Sequence, residues 1–239
     1  MAMWQDIWSN KGKDLASVNF TLTDLIYANG YESSGFTSQS WVEYFQYVAN
    51  TTQINEGKKS ILEIGCGGGA SLKAISLIND KLEIFGLDYS KSLINIAKSA
   101  IKGGKFYCDE AINIDKTFPK QYFDTIILGG VIVYFPSEDY TFEVIKKSYN
   151  LLSQGGNLAL LDLNDINKKS VYSKIRKGNM TEDEYNKKYE GLNHLFLNRT
   201  KVFKFVESLG FKQIIVEDQH IDGYINNECR FNVFALSKK

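Results

Sequence analysis

From about residue 60 to residue 165 the chain alternates two patterns of apolar and polar positions. Short unbroken apolar runs give way to longer stretches in which apolar residues return at helical spacing. "SILEI" (60–64) is short, β-branched and stopped by glycines, as befits a buried strand. "SLKAISLIND" (71–80) carries Leu72, Ile75 and Ile78 at helical spacing. "LEIFGLD" (82–88) reads as the next strand, and "KSLINIAKSAI" (91–101) as an amphipathic helix opened by capping hydroxyls. "KFYC" (105–108), "FDTIILGG" (123–130) and "GGNLALLDL" (155–163) read as strands three to five, with "EDYTFEVIKKSYNLL" (138–152) as the helix before the fifth. This alternation predicts right-handed βαβ units, hence an α/β fold: a mostly parallel sheet with helices on both faces.

The pattern changes after residue 164. Residues 164–200 are polar, charged and rich in Lys, Asn and Tyr, and are expected to form a helical cap over the sheet's carboxyl edge. "VFKFVESLG" (202–210) reads as a helix with Gly210 as its C-cap. "FKQIIVEDQ" and "ECRFNVFALSKK" read as two strands whose short connection forces antiparallel pairing. Residues 1–58, with Trp4, Trp8 and Trp41, are expected to form a separate helical segment, and residues 59–239 the main domain.

Composition narrows the function. The 239 residues suit one large domain, or a domain with a cap. Lys plus Arg is 28 and Asp plus Glu is 28, so the formal charge is zero, which argues against a nucleic-acid partner. No apolar run is long enough to cross a bilayer, so no membrane insertion is expected. The start, "MAMWQDIWSNKGKD", has acids and amides where a signal peptide needs an apolar core. Cys66, Cys108 and Cys229 make an odd count without metal-ligand spacing, and point to a reducing, cytoplasmic setting.

The chemistry concentrates at "ILEIGCGGGASL" (61–72). A glycine loop between strand and helix lets a ligand approach the backbone and aims helix N–H groups at it. Asp88, at the end of the next strand, has the spacing that brings a carboxylate to ribose hydroxyls. Gly65-x-Gly67-x-x-Ala70 also matches a dinucleotide fingerprint, but about 60 residues precede it and the terminal strand pair fits dinucleotide folds poorly.

"LEIGCGGG", "GLDYS", "FDTIILGGVIVYF" and "LLSQGGNLALLDL" together resemble the motif series of class I S-adenosylmethionine-dependent methyltransferases. The resemblance runs from residue 60 to the C-terminus. It implies a Rossmann-like sheet of seven strands, the last antiparallel, and S-adenosylmethionine as cofactor with S-adenosylhomocysteine as product. It also implies that Glu63, Gly65, Cys66 and Gly67 line the methionine part of the cofactor, although the Cys66 thiol is expected to pack under the loop. Asp88 would hold the ribose, with Tyr89 beside the adenine. Asp109 or Glu110 would reach the adenine amine, with Ala111 against the ring. Gly129 would lie where the methyl group points. None of these loops carries an Arg, which suits a sulfonium better than a phosphate.

The acceptor is expected to be a small molecule, bound by a monomer or homodimer. An alcohol acceptor needs a general base, and the chain has two histidines, His194 and His220. His194 follows the cap and is the candidate base; His220 is expected to be peripheral. "GLNHLF", "DQHIDGYINNECRFNVFALSK", "WQDIWSNKG" and "NGYESSGF" resemble a methyltransferase subgroup of bacterial surface-polysaccharide and natural-product clusters. Tyr134 follows the fourth strand and is a candidate hydrogen-bonding partner of the acceptor. Arg230, in an otherwise apolar strand, either binds an anionic substrate group or pairs with Asp218 or Asp222. Tyr31 and Tyr224, with Tyr27, Trp41, Tyr172, Tyr185 and Tyr189, could wall a small substrate. Asp162, Asn164 and Asp165 end the fifth strand, but the fourth ends in glycines, so a magnesium site is not expected. The resulting expectation is metal-independent O-methylation of a glycan- or phosphate-linked acceptor in surface-polysaccharide biosynthesis. The alternatives are a small-molecule N-methyltransferase, a dinucleotide-dependent oxidoreductase and a non-catalytic binding module.

Overall fold

The computed structural model describes residues 4–13, 19–54, 57 and 59–238. The apolar runs become β1 (Ser60–Ile64), β2 (Glu83–Asp88), β3 (Lys105–Cys108), β4 (Phe123–Gly129) and β5 (Leu152–Asn164). They pair in parallel in the order β3-β2-β1-β4-β5. β6 (Phe211–Asp218) and β7 (Arg230–Lys238) complete the seven-stranded sheet, with β7 antiparallel between β5 and β6.

Helices α1 (Trp4–Asn10), α2 (Leu22–Ala28) and α3 (Ser38–Thr51) precede the sheet. Helices α4 (Ala70–Ile78), α5 (Lys91–Ala100), α6 (Ile114–Thr117) and α7 (Glu138–Leu151) follow β1 to β4 in turn. The polar segment after β5 folds as α8 (Lys169–Lys177) and α9 (Glu182–Tyr189), and α10 (Arg199–Ser208) leads to β6. Thr21, Ser90, Ser137 and Asn198 cap α2, α5, α7 and α10 by accepting backbone N–H bonds that would otherwise go unpaired.

Side chains alternate faces along a strand, and both faces here are covered. Ile61, Ile127, Ala159 and Leu161 face one cluster; Leu62, Ile126, Leu158 and Leu160 face the other. This explains why the strands read as continuous apolar runs. Leu25, Trp41, Phe45 and Val48 of α2 and α3 share the first cluster with Ile61, Leu72 and Ile75. Those two helices therefore pack into the same core as the sheet.

Three local differences have physical causes. β5 begins at Leu152 rather than 155, because a register shift lets Leu152 face Phe123 before Asn157 faces Thr125. The C-cap of α10 is Leu209; Gly210 follows one residue later at φ 95°, a left-handed position that glycine takes without steric cost. Finally, the β5–β7 register jumps between Leu160 and Leu163, and Asp162 inside that irregularity has φ 61°. Few non-glycine residues adopt that region, and bulges of this kind re-aim a side chain. Among the described residues no helix is long and apolar enough to cross a membrane.

Candidate active site

Two cavities meet above the carboxyl ends of the strands. The first has a volume of about 550 Å³ and the second about 200 Å³. Gly65, Asp88, Tyr89, Val131, Tyr134 and His194 line both, so they form the junction.

The glycine loop makes the floor of that junction. Gly65 has φ 75°, and a Cβ there would lie 2.3 Å from Val131 Cγ2. Gly67 has φ 53°, and its Cβ would meet Asn29 Oδ1 at 2.5 Å. Neither position has room for a side chain. Asn29 clamps the loop: its Oδ1 accepts from Gly68 N at 2.7 Å and its Nδ2 donates to the Cys66 carbonyl at 3.2 Å. The Cys66 side chain is fully buried and lies against Gly86, under the loop and outside both cavities. Only its backbone helps shape the site.

Asp88 closes β2. Its Oδ2 accepts from Gly67 N at 2.9 Å and its Oδ1 from Ser90 N at 2.8 Å. Burial pushes its pKa up to about 6, against the opposing pull of those two amides. Glu63 lies deeper, behind Gly129 and beside Ser71, and lines neither large cavity. Burial raises it to about 8, and its Oε2 has no hydrogen-bond partner.

Asp109 and Glu110 both line the first cavity, with Ala111. Asp109 is committed: it accepts from Glu110 N at 2.8 Å and from Asn113 Nδ2 at 2.9 Å, and Asn113 holds its carboxyl below the usual range. Those bonds stabilise the turn and leave Glu110 as the exposed carboxylate of the pair. The lining of the first cavity contains acids, aromatics and backbone but no Lys or Arg. That donor set suits a nucleoside bearing a cation and opposes a pyrophosphate. The side-chain-free glycine floor fits the same ligand, whereas Glu63, expected to line the methionine part, is enclosed behind Gly129.

His194 and Tyr134 stand at the junction. Leu195 N donates to Val133 O at 2.8 Å, tying the post-cap segment to the turn after β4. Trp4 stacks on His194 at 4.5 Å, and Tyr134 meets His194 edge-on at 5.0 Å. The Tyr172 hydroxyl contacts Nδ1, while the buried Nε2 has no partner. Burial, reinforced by Arg176 and Arg230, pushes the His194 pKa down to about 2. A neutral imidazole so placed is a weak proton acceptor. A general base near neutrality, expected here, is therefore not what the surroundings provide.

The three substrate candidates meet on a residue that sequence reasoning had weighed only as a metal ligand. Tyr31 and Tyr224 donate to Asp162 Oδ2 at 3.3 and 3.2 Å, and Arg230 Nη1 lies 3.7 Å from the same oxygen. All four line the second cavity. Neither expected Arg230 partner is found: Asp218 binds Arg199 at 2.6 Å, and Asp222 lines a separate surface groove with His220. The aromatic set divides. Tyr31, Tyr172 and Tyr224 line the second cavity, Trp41 is core, Tyr27 is exposed, and Tyr185 and Tyr189 pack together in the cap. Asp165 pairs with Arg199 at 2.6 Å, and among the described residues no group of three or more His, Cys, Asp or Glu could hold a metal ion.

Sequence reasoning also passed over the roles of Asn29, Trp4 and Trp8. Trp4 Nε1 donates to Asn193 O at 2.7 Å, and Trp8 lines the second cavity. The only local signal was an aromatic helix ahead of the sheet.

Comparisons with known proteins agree with this geometry. Residues 62–158 match the family model "Methyltransferase domain". The chain is 34% identical over 112 residues to CymA of Salinispora arenicola, a probable non-canonical nonribosomal peptide synthetase, covering 45% of this chain and 1% of that protein. It is 27% identical over 184 residues to O-methyltransferase 3 of Dictyostelium discoideum, covering 73% of this chain and 41% of that one. The chain thus spans less than half the length of these relatives. Among solved structures it resembles the plantazolicin methyltransferase BpumL in complex with a triazolic desmethylPZN analog and SAH. The TM-score is 0.66 at 15% identity, covering 91% of both chains. Residues 62–158 match a methyltransferase family model and the seven-stranded sheet has the fold of solved methyltransferases, so this chain is similar to class I S-adenosylmethionine-dependent methyltransferases.

Proposed function

We propose that the protein transfers a methyl group from S-adenosylmethionine to a hydroxyl of a small acceptor without a metal ion. The observation that carries this reading is the junction of two unequal cavities at Gly65, Asp88, Tyr134 and His194. A nucleoside-sized cleft lined by carboxylates opens there onto a smaller, aromatic-walled cavity. When bound, the cofactor supplies an electrophilic methyl group on a sulfonium.

In this reading Asp88 holds the ribose, Glu110 rather than Asp109 faces the adenine amine, and Ala111 and Tyr89 flank the ring. Gly65, Gly67 and Gly129 leave space for the methionine end. His194 and Tyr134 position the acceptor at the junction, where alignment of acceptor, methyl and sulfur lowers the barrier. The acceptor is glycan- or phosphate-linked and belongs to surface-polysaccharide biosynthesis. Support comes from the subgroup resemblance and from the tyrosine-rich wall. The three free cysteines suit a cytoplasmic setting.

Isothermal titration with S-adenosylhomocysteine, with NAD as control, tests the reading. Micromolar binding of the first and none of the second is expected. NAD binding without S-adenosylhomocysteine binding would transfer the glycine loop to a dinucleotide enzyme and end the proposal.

A further inference from the structure

The Asp162–Arg230 pair carries more than a structural contact. Both residues are buried, at 6% and 5% exposure, and both line the second cavity. Asp162 spends one oxygen on three neighbours: Tyr31, Tyr224 and Arg230 all converge on Oδ2. Its Oδ1 has no partner. Arg230 donates through Nη1 to the Asp162 carbonyl at 3.0 Å, yet its Nε also has no partner. One ion pair thus holds one buried acceptor and one buried donor that the protein leaves unpaired. His194 Nε2, on the same cavity, is a third unpaired atom.

The position of Asp162 is built, and at a conformational cost. Its φ of 61° sits in a β-bulge, and its backbone N–H is held by Asn232 Oδ1 at 3.0 Å. The carboxylate is brought to the tip of β4: a Cβ on Gly130 would lie 3.7 Å from Asp162 Oδ2. Strain of this kind persists where surrounding contacts over-determine it, often at a binding site.

We propose that this cavity takes a neutral 1,2-diol, such as two adjacent ring hydroxyls of a sugar, and that Asp162 is the catalytic base for the hydroxyl that is methylated. This rests on the methyltransferase reading above and narrows its acceptor. The reacting hydroxyl donates to Asp162 Oδ1, and its neighbour accepts from Arg230 Nε. As the O–H bond breaks, the proton passes to Oδ1. The oxygen forms the new bond to the methyl carbon, and the sulfur keeps the electron pair of the S–C bond that it loses. Other acceptors fit worse. An ammonium would sit beside the Arg230 charge. A phosphate would face the Asp162 carboxylate and find one free N–H on that guanidinium. A lone hydroxyl would leave one buried polar atom unpaired, which is costly. Tyr134, Tyr172 and Trp8 offer the ring its apolar walls.

A smaller void of about 20 Å³ also touches Asp162, and one buried water there would compete for Oδ1. The experiment separates these cases. The protein is incubated with tritiated-methyl S-adenosylmethionine and, in turn, methyl α-mannopyranoside, methyl α-glucopyranoside, 2-propanol, ethanolamine and 2-hydroxyethyl phosphate. Label should enter a glycoside at least about tenfold faster than 2-propanol, ethanolamine or 2-hydroxyethyl phosphate. Asp162→Asn should lower kcat by about a hundredfold or more, with S-adenosylhomocysteine affinity unchanged. Arg230→Gln should act chiefly on the glycoside KM. Equal or faster transfer to ethanolamine, 2-propanol or 2-hydroxyethyl phosphate overturns the diol assignment. Full activity of Asp162→Asn overturns the base assignment and gives Oδ1 to a water. S-adenosylhomocysteine binding with no label in either glycoside removes the diol but leaves the methyltransferase reading standing; absence of that binding removes both. Acceptor preference is read on the unaltered protein, so it decides even if a variant does not fold.

Discussion

Asp88 faces both cavities with each carboxylate oxygen engaged by one backbone amide, from Gly67 or Ser90. Each oxygen keeps a second lone pair, which in the proposed reading accepts from a ribose hydroxyl. Two bonds to a charged acceptor are together worth about 3–6 kcal/mol. Asp88→Ala should therefore weaken S-adenosylhomocysteine binding by about a hundredfold or more while far-UV circular dichroism stays native. Because the pKa is raised to about 6, wild-type affinity should also fall as pH drops through that value, by up to about tenfold per unit. Titrations at pH 7.5 and 5 read this directly, and a flat affinity would remove Asp88 from the ribose. His194 carries the opposite expectation. Burial and two guanidinium charges keep it neutral to about pH 2, so no inflection in kcat/KM near pH 6–7 should belong to it. His194→Gln keeps a polar group there and should retain most turnover. A collapse of kcat in that variant, with cofactor affinity intact, would restore the imidazole as base.

Helix α1 is the element that joins the two sides of the site. Its Trp4 carbonyl accepts from Tyr89 Oη at 3.2 Å and its Trp8 carbonyl from Ser90 Oγ at 2.8 Å, both at the tip of β2. On the other side Trp4 stacks on His194 and bonds Asn193. Trp4 lines the first cavity, so Trp4→Ala should speed S-adenosylhomocysteine release by about tenfold. A chase of bound tritiated S-adenosylhomocysteine measures the rate, and an unchanged one would mean that α1 does not gate release. The strands below were legible because burial on both faces writes them as apolar runs, and Gly65, Gly67 and Asp88 because their spacing is local. Asn29, Trp4 and Asp162 were not legible in their roles. Asn29 acts 37 residues from Cys66, Trp4 bonds a carbonyl 189 residues away, and Tyr31 reaches Asp162 across 131. Periodicity does not encode such meetings; the packing of α1 and α2 over the strand tips creates them. Arg230 was flagged as a buried charge, but its partner lay on the neighbouring strand rather than among the nearby acids.

Across the whole molecule, the strand tips concentrate carboxylates that burial disfavours. Glu63 on β1, Asp88 on β2 and Asp162 on β5 are all buried, and desolvation raises all three. In the proposed reading the site accepts hydrogen bonds from ribose, ammonium and hydroxyl groups, which needs such acceptors, and the fold bears their cost. Glu63 shows the sign of that cost most clearly. Its ordinary pKa is 4.5 and its folded value about 8. Below 4.5 both states hold the proton and there is no penalty. Between 4.5 and 8 the unfolded chain releases the proton while the folded chain keeps it, so stability falls as pH rises. Above 8 the folded chain carries an ionised buried carboxylate and the penalty is complete, on the order of 5 kcal/mol. Glu63→Gln removes the titration while keeping the shape. Urea unfolding at pH 6 and pH 8.5 should show wild type losing stability across that interval and the variant losing much less. Equal losses in the two proteins would mean that Glu63 is ionised at little cost, and that its unpaired oxygen is satisfied in solution.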